Sequence, residues 1–552
     1  MRKTGLIAAV ATAVLVCRPV SAQTDLAVFE SAVRPVPASR LDEIVRARLA
    51  ALEIEPVLCS DSVFVRRVYL DLLGTLPAAD EARAFIDDPD AKGKRRALID
   101  RLLERPEFAD YWAMKWGDIL RIKAEFPVNL WPNAAQAYHR WVRASLAENK
   151  PYDQFVRELL TASGSNFRAG PVNFYRAIQN KNPEGIAAAV ALTFMGARAE
   201  HWPAGRLAGM APFFSQIGYK PTSEWKEEVV VWDPLHAHAQ PGNSAPGREQ
   251  IGTSPQAGGA APWPLPSGGG GLQAVLPDGS AIELPPDRDP RAVFADWLIR
   301  PENPWFTRCI VNRVWAWFLG RGIVHEPDDI RDDNPPSNPE LLAYLEQELI
   351  AGHYDLRQLF RLILNSTTYQ SSSVPRWDSR EAEANFATYR LRRLEAEVLI
   401  DALNAITGAA DLYTSSIPEP FTYIPRDMRA IALADGSITS PFLTLFGRSP
   451  RATGVQSERD NKSSPSQWLH MLNSAHIRQK LERGPALRTL LAARRRPAEL
   501  AEEVYLMVLS RRPTQEELET VVEHFRATQP RGSAAVDVVW ALVNSTEFLY
   551  RH

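Results

Sequence analysis

The chain has 552 residues, of which 45% are hydrophobic and 23% charged, and its formal net charge is −3. A chain of this length is long enough for two or more domains, each with its own core. Basic residues cluster only in short, isolated runs such as residues 494–496. The small net charge and the absence of a basic stripe in the sequence exclude the electrostatic footprint of a nucleic-acid-binding protein.

The N-terminus has the three parts of a signal peptide. Residues 1–3 carry two basic side chains, residues 6–16 are apolar, and residues 20–22 suit cleavage after Ala22. A membrane anchor is the alternative, but the apolar run is shorter than the roughly 20 residues that a spanning helix needs. The sequence therefore predicts that residues 1–22 are removed. It also predicts that the mature chain is periplasmic or secreted and has no membrane span.

Cysteine is rare, and Cys17 lies within the predicted signal peptide. Cys59 and Cys309 remain, which is too few for a disulfide framework, although one bridge is consistent with an oxidising compartment. We expect two buried free thiols, and the single bridge is the alternative. The same count excludes a Cys-X-X-Cys-His haem attachment and any multi-cysteine metal site.

Apolar residues recur at helical spacing through the first half of the chain. The pattern predicts a helix that is capped by Asp61 or Ser62 and ends at Gly74, and a second helix over Lys94–Leu103. Farther along, aromatic residues recur at every fourth position, at Phe108, Trp112 and Trp116. Such a stripe is typical of a helix face that packs into the core.

The composition changes over residues 216–288, where proline, glycine, serine and alanine are frequent. We expect a linker or small insert with a few short strands. Residues 229–232 form one predicted strand. Residues 273–276 and 280–284 form a predicted hairpin across residues 277–279 (Pro-Asp-Gly).

Helical patterning resumes at Pro290 and includes the apolar segment Phe306–Leu319. Residues 338–340 (Asn-Pro-Glu) are a well-formed helix start, with an N-cap, a proline at the first helical position and an acid in the first turn. The chain is therefore predicted to be all-α. Two helical domains, at residues 23–215 and 289–552, are joined by the Pro/Gly-rich linker.

Several long motifs resemble a two-domain bacterial family. In the first half, residues 64–77 and 152–157 are similar to the planctomycete-type cytochrome c-associated domain, known as domain of unknown function 1549. The second half resembles its habitual partner, domain of unknown function 1553. The matching segments of the second half are residues 311–315, 318–322, 328–342, 393–397, 446–448 and 458–459.

The resemblance also implies a covalently bound haem, for which this chain lacks the residues. Family members carry Cys-X-X-Cys-His-X-His-Pro between a Phe-Leu-Gly and a Trp, but here residues 194–198 lead almost directly into residues 200–202. A c-type haem needs two thiols and a neighbouring histidine. We therefore expect a non-haem protein without a cofactor. Ligation of a non-covalent haem by a histidine such as His201 is the alternative.

A second family motif has also lost its cysteines. Val455 and Ser457 stand where relatives often carry a Cys-Glu-Cys-Glu-Arg run, so a redox or metal role there is not expected. No Walker loop, His-Glu-X-X-His or Gly-X-Ser-X-Gly motif is present in the sequence. The common nucleotide-binding and hydrolase signatures therefore give no support to either function.

Two groups of residues resemble metal ligands by residue type. Residues 328–334 combine four aspartates with an asparagine, a set that suits calcium, but they lack the order of an EF-hand loop. We expect these carboxylates to form ion pairs with nearby arginines such as Arg331, and no metal site. His236 and His238 are expected to be solvated in the linker.

Polar residues inside the apolar family motifs are the candidate site. Burying such groups costs several kcal/mol unless they are paired, which favours an Arg–Glu network that joins the helices. The functional alternative is a polar cleft that grips an anionic or sugar-like ligand through arginine forks. The residues concerned are Asn312, Arg313, Asp328, Asp329, Arg393, Glu395, Glu397, Arg448, Arg451, Glu458 and Arg459.

The leading hypothesis is an exported, non-haem, helical accessory protein that acts by binding, beside an exported protein partner of the kind encoded with this family. The alternative is an enzyme that acts on polysaccharide through arginine and carboxyl groups of the second domain. If the candidate side chains line one open pocket and their carboxyl groups have raised pKa values, the enzyme is favoured. If they form ion pairs under a packed surface, the accessory protein is favoured. The residues of this test are Arg313, Asp329, Arg448, Glu458 and Arg459.

Overall fold

The computed structural model describes residues 26–203, 205–235, 272–493, 495–528 and 531–552. The predicted signal peptide lies outside these residues, as do His236 and His238. Within them the fold is mainly α-helical, as predicted, and the strands are few and short. None of the helices in this part of the chain combines the length and the apolar character that crossing a bilayer requires.

The first half is a succession of short helices. Their bounds are α1 Arg40–Ala50, α2 Asp61–Leu73, α3 Ala79–Asp87, α4 Lys94–Leu103, α5 Pro106–Ile119, α6 Pro132–Ala147, α7 Tyr152–Thr161, α8 Asn173–Arg176, α9 Pro183–Val190 and α10 Arg206–Met210. A π-helical turn, Ala191–Met195, follows α9. Single 3-10 turns lie at Leu26–Val28, Gly170–Val172, Ala199–His201 and Ala211–Phe214.

The predicted start of α2 is wrong by one residue or two. The Ser60 hydroxyl is the group that caps this helix, accepting a hydrogen bond from the backbone N–H of Val63. Asp61 does not cap because its carboxylate pairs with Lys94 and Arg95, each at 2.8 Å. The predicted end at Gly74 and the predicted bounds of α4 are confirmed.

The aromatic stripe of α5 lies in the core, as predicted. Phe108, Trp112 and Trp116 are each at most 3% exposed. The Trp112 ring lies 4.5 Å from the Phe360 ring, between centroids, and its indole N–H donates to the Leu72 carbonyl at 3.1 Å. Helix α5 therefore packs against both halves of the chain.

Short antiparallel strands cover part of the predicted linker. β1 Gly164–Ser165, β3 Glu228–Trp232 and β2 Ile217–Pro221 form one sheet in that order, and β4 Leu272–Val275 pairs with β5 Ala281–Leu284. The second pair confirms the predicted hairpin, with each strand displaced by about one residue. Gly279 has a φ of +91°, which only glycine adopts readily in such a turn.

The second half begins with two strongly apolar helices and continues to the C-terminus. Asn338 caps α13 as predicted, because its side-chain oxygen accepts the backbone N–H of Leu341 at 3.0 Å. The helix bounds are α11 Pro290–Leu298, α12 Phe306–Leu319, α13 Pro339–Ala351, α14 Leu356–Leu364, α15 Arg380–Ala384, α16 Ala396–Thr407, α17 Pro441–Leu445, α18 Pro465–Asn473, α19 Ala475–Arg483, α20 Pro485–Ala492, α21 Pro497–Leu509, α22 Gln515–Ala527, α23 Arg531–Val543 and α24 Thr546–Leu549. Strand β6, Arg392–Arg393, pairs with β7, Tyr550–Arg551.

Buried polar contacts tie the two halves together. Arg67 of α2 is fully buried and donates to the backbone carbonyls of Tyr369, Ser371 and His552 at 2.6–2.9 Å. The buried apolar residues form one cluster that runs from α1 to α24. The helices of the two halves therefore share a core.

The two cysteines of the described chain are free and buried, so they form no bridge with each other. The Cys309 sulfur lies 3.9 Å from the Thr193 carbonyl oxygen. Burial raises the pKa of this thiol to about 11, which keeps it protonated and unreactive at neutral pH.

Candidate functional site

A large open cleft lies where several distant parts of the chain meet. Its volume is about 850 Å³. Its walls are formed by the C-terminal ends of α5 and α12, the loop of residues 321–327, the segment of residues 390–395 that includes β6, the loop of residues 456–463, and β7. A cleft of this size can hold a ligand of several rings.

The cleft is basic, although the chain as a whole has a net charge of −3. Eight lysine or arginine side chains line it, against four aspartate or glutamate side chains. The cationic residues are Lys115, Arg321, Arg390, Arg392, Arg393, Arg459, Lys462 and Arg551, and the acidic residues are Asp118, Glu326, Glu395 and Asp460. Asp71, Glu383 and Glu397 lie behind the lining and neutralise part of this charge, and the positive surplus that remains attracts anions.

One ion-pair network under the cleft joins α5, α16 and the loops around residues 448–459, and we call it the Asp118–Glu397 network. Arg459 bridges its two carboxylates, with nitrogen–oxygen distances of 2.8 Å to Asp118 and 2.6 Å to Glu397. Arg451 contacts Asp118 at 3.0 Å, and Arg448 contacts Glu397 at 3.1 Å. Each carboxylate thus lies between two guanidinium groups.

The arginines of this network decide the charge of Glu397. Burial alone would raise the pKa of this carboxyl group, but Arg459 and Arg448 outweigh burial and hold the pKa at about 2. Glu397 is therefore ionised at neutral pH. A buried charge of this kind stabilises the fold only as long as its partners remain in place.

A second network, the Asp71–Glu395 network, connects α2 and α5 to the C-terminus. Arg551 contacts Asp71 at 2.8 Å and also pairs with Glu395, which in turn pairs with Lys115. Burial opposes ionisation of Glu395, but Arg551 and Lys115 hold its pKa well below the usual range. The hydroxyl groups of Tyr369 and Tyr389 donate to Asp71, each at 2.9 Å.

The strand pair β6–β7 places arginines beside both networks. Arg392 donates to the carbonyls of Trp317 and Phe318 at 2.6 and 2.7 Å, which satisfies the free carbonyl end of α12. Its neighbour Arg393 donates to the Phe446 carbonyl at 2.8 Å and to the Asp460 carbonyl at 3.1 Å. These arginines therefore fix the walls of the cleft and also give it charge.

Several polar atoms of the cleft are buried but have no hydrogen-bond partner in the described part of the chain. They are the Nε atoms of Arg321, Arg392 and Arg551, Nδ1 of His325, Oε1 of Gln456 and Oδ1 of Asn461. Buried polar groups are rarely left unpaired in folded proteins. In the lining of a cleft, such atoms can form hydrogen bonds with a ligand or with bound water.

Three of the predicted site residues line this cleft: Arg393, Glu395 and Arg459. Arg448 and Arg451 lie behind it in the Asp118–Glu397 network and do not line it. With Glu397 of the same network, the structure thus brings six of the predicted residues to one region, and all but Arg393 belong to the paired networks.

Arg313 and Asp328 form a separate buried pair at 2.8 Å, and neither residue lines the cleft. Arg313 also donates to the Leu192 carbonyl at 2.7 Å, so it holds α12 against the end of α9. The neighbouring Asn312 exchanges two hydrogen bonds of 2.9 Å with the Val324 backbone. These three residues position the loop that follows α12.

The other two predicted residues also have structural partners. Asp329 lies 3.0 Å from the His201 ring nitrogen and 3.2 Å from Arg331. Glu458 accepts backbone hydrogen bonds from Ala452 at 3.0 Å and Thr453 at 3.1 Å. Two aspartates of residues 328–334, Asp329 and Asp333, thus form the expected ion pairs with Arg331. In the described ranges, no three His, Cys, Asp or Glu side chains are grouped to hold a metal ion.

Sequence patterns missed several residues of the cleft. Lys115 and Asp118 are polar interruptions of the aromatic helix α5, a signal that could have marked them. Arg390 and Arg392 precede Arg393 in a short arginine-rich run, of which the sequence motif marked Arg393 alone. Arg551 has no local signal, because only the tertiary fold brings it to Glu395.

Comparison with known proteins matches both halves of the chain to family models. Residues 40–199 match the family model described as protein of unknown function (DUF1549), PSCyt2, and residues 290–525 match the model described as protein of unknown function (DUF1553), PSD1. Neither the curated proteins nor the solved structures include a match to the chain. The chain therefore belongs to the cytochrome c-associated family that combines these two domains of unknown function.

Proposed function

We propose that this chain is an exported, non-haem accessory protein that acts by binding, and that its basic cleft takes an acidic glycan. The single observation that carries the proposal is the surplus of cationic side chains in a cleft with buried, unpartnered polar atoms. Guanidinium groups suit carboxylates because they form two parallel, charge-assisted hydrogen bonds. Export is supported by the signal-peptide pattern of residues 1–22.

The haem that the family implies does not fit the residues at the corresponding place. Residues 194–202 contain no cysteine, and in the structure they form the end of a π-helical turn and a 3-10 turn. The thiols of Cys59 and Cys309 are buried, and both cysteines lie outside this segment of the sequence. Covalent haem attachment needs two thiols beside a histidine, so these residues support a non-haem function.

The acid–base state of the cleft favours binding over hydrolysis. A glycosidase needs one carboxyl group with a raised pKa to protonate the leaving group. The pKa of Glu395, which lines the cleft, is instead well below its ordinary value, and the pKa of Glu397 in the network beneath the cleft is about 2. Of the five residues whose convergence would favour an enzyme, Arg459 alone lines the cleft.

A second surface, apart from the cleft, presents exposed aromatic rings that suit contact with a glycan. Trp225, Phe421 and Tyr423 are 67%, 48% and 72% exposed, and the Trp131 ring lies 5.4 Å from Phe421 and 6.5 Å from Trp225 between centroids. Exposed aromatic clusters mark interaction sites, and the negative faces of the rings attract the C–H faces of sugars. None of these residues lines the cleft.

Titration of the mature chain with two soluble polymers tests the proposal. We expect binding to polygalacturonate, which carries carboxylates, and none to dextran, which is neutral. Binding should weaken as sodium chloride is raised, because salt screens the exposed charges of the cleft. Equal binding of both polymers would contradict an acidic ligand, and new reducing ends in the polygalacturonate would favour the enzyme instead.

Two exposed arginines provide a matched pair of variants. Arg390 lines the cleft, whereas Arg526 is exposed on α22 outside it. Arg390→Ala should weaken polygalacturonate binding about tenfold, the loss expected for one charged hydrogen bond. Arg526→Ala should leave it unchanged. An equal effect of the two substitutions would show that the attraction is not local to the cleft.

A further inference from the structure

A second pocket of about 280 Å³ shares no lining residue with the basic cleft. Its walls come from the region of α9, the turn at Ala199–His201, the loop around Thr453 and the segment after α5. Arg121 lies in its wall, and we call it the Arg121 pocket.

Arg121 is buried without a direct ion-pair partner in the part of the chain that the structure describes. Its side chain is 4% exposed and donates from Nε to the Thr453 carbonyl at 3.0 Å. Its Nη1 atom is buried without a hydrogen-bond partner, and no carboxylate of the described chain lies within ion-pair distance. The buried Arg313 and Arg451 each have an aspartate partner, at 2.8 and 3.0 Å, whereas the buried Arg67, like Arg121, donates to backbone carbonyls alone. An unpaired buried guanidinium is unfavourable, so an anion from outside would stabilise it.

A second guanidinium group lines the same pocket. Arg198 is half-buried, and its Nε atom also lacks a partner within the described ranges. Glu200 is the acidic lining residue, and it is exposed. The nearby carboxylate of Glu458 attracts Arg121 electrostatically but makes no ion-pair contact with it, and its oxygens accept the backbone N–H groups of Ala452 and Thr453. Two cations in the pocket wall thus carry buried N–H groups without partners in the described chain.

Apart from Gln179, Asn180 and Thr453, the rest of the lining is apolar and small. Ile178, Leu192 and Val455 contribute aliphatic side chains, and the alanines of α9 leave room between them. A volume of about 280 Å³ is below the range of pockets for drug-sized molecules, which begins near 300 Å³. The lining therefore suits a short hydrocarbon chain beside the two cations.

We infer that the Arg121 pocket binds a small monocarboxylate with a short apolar tail. The carboxylate oxygens accept hydrogen bonds from Nη1 of Arg121 and Nε of Arg198, and the tail lies against the aliphatic side chains. This site goes beyond the proposed function and does not depend on it, because the two sites share no residue.

Isothermal titration of the mature chain with acetate, butyrate and hexanoate tests this inference. Affinity should rise about threefold to fourfold for each added methylene that the pocket buries. Hexanamide has the same tail without the charge and should not bind measurably. Equal binding of hexanoate and hexanamide, tighter binding of inorganic phosphate, or no heat with any carboxylate would overturn the inference.

Two substitutions locate the site, and a third separates it from the cleft. Arg121→Gln should abolish hexanoate binding. Arg198→Gln should weaken hexanoate binding about tenfold, and because Arg198 is half-buried, this substitution should disturb the fold less. Lys462→Ala changes the basic cleft and should leave hexanoate binding intact. Normal binding by a folded Arg198→Gln variant, or a loss caused by Lys462→Ala, would refute this assignment even if Arg121→Gln did not fold.

Discussion

Glu397 shows what a single residue contributes beneath the cleft. Its carboxylate is 0% exposed and lies between Arg448 and Arg459. Replacement by glutamine keeps the shape but removes the charge, which leaves two guanidinium groups facing each other. We expect Glu397→Gln to lower the free energy of unfolding by about 3 kcal/mol or more, measured by urea titration at pH 7.

The matched control for this prediction is Glu499, which pairs with Arg496 on the surface. Exposed ion pairs contribute little, so Glu499→Gln should leave the urea midpoint almost unchanged. Similar midpoints for the two variants would show that the Asp118–Glu397 network does not support the fold.

The stability of the same network should depend on pH. The pKa of Glu397 is held at about 2 in the folded chain, below its ordinary value of 4.5, because its arginine partners outweigh burial. The ionised carboxylate therefore stabilises the fold above about pH 4.5, and this contribution disappears as the pH falls towards 2. The gap in melting temperature between the wild type and Glu397→Gln should shrink over that interval. A gap that stays constant from pH 7 to pH 2 would contradict the assignment.

At the residue scale, sequence motifs located part of the site. Arg393, Glu395 and Arg459 were recognisable because polar residues inside apolar helical motifs need partners. The partners themselves were not recognisable. Arg551 contacts Glu395 and Asp71 across long stretches of chain, and spacing along a sequence carries no information about such contacts.

Helix α5 packs closely against the Asp118–Glu397 network at Gly117. Gly117 lies against Arg451, and a Cβ atom at this position would be 2.9 Å from the guanidinium carbon. Arg451 is fully buried and bonded to Asp118, so it cannot move aside. We expect Gly117→Ala to lower the free energy of unfolding by about 1–3 kcal/mol, as overpacking does, in thermal or urea unfolding.

Gly532 is the matched helical control. It lies in α23, and a Cβ atom there would meet nothing within 4 Å. Because alanine favours helix more than glycine does, Gly532→Ala should stabilise the chain by up to about 1 kcal/mol. Destabilisation by both substitutions would mean that helix geometry, and not the contact with Arg451, determines the effect at Gly117.

Elements with a local signal were predicted well. Helix α4 and the β4–β5 hairpin follow from apolar spacing and turn residues that are close in sequence. The pair β6–β7 was not predicted, because strands of two residues show no periodicity and Arg392 meets Arg551 only through the tertiary fold. This pair forms one wall of the cleft. Some residues of the site could therefore be predicted from the sequence, but the way in which the fold assembles them could not.

On the scale of the whole molecule, the sequence suggests two units, whereas the buried contacts cross between them. Asp42 of α1, which is 0% exposed, accepts hydrogen bonds from the backbone of Thr367 and Thr368 at 3.0 and 3.1 Å. Arg67 of α2 donates to three carbonyls of the second half. Composition marks where a linker runs, but it cannot show that helices before and after the linker pack together.

These shared contacts predict that the chain unfolds as one unit. The wild-type mature chain should show a single calorimetric transition whose calorimetric and van't Hoff enthalpies agree. Trp112→Ala provides a sharper test, because this buried ring of α5 packs against Trp317, Phe318 and Phe360 of the second half. The substitution should reduce stability by about 3–5 kcal/mol and lower the single melting temperature without splitting the transition. Two resolved transitions, of which Trp112→Ala moved only one, would instead show that the halves unfold independently and that their common core adds little to cooperativity.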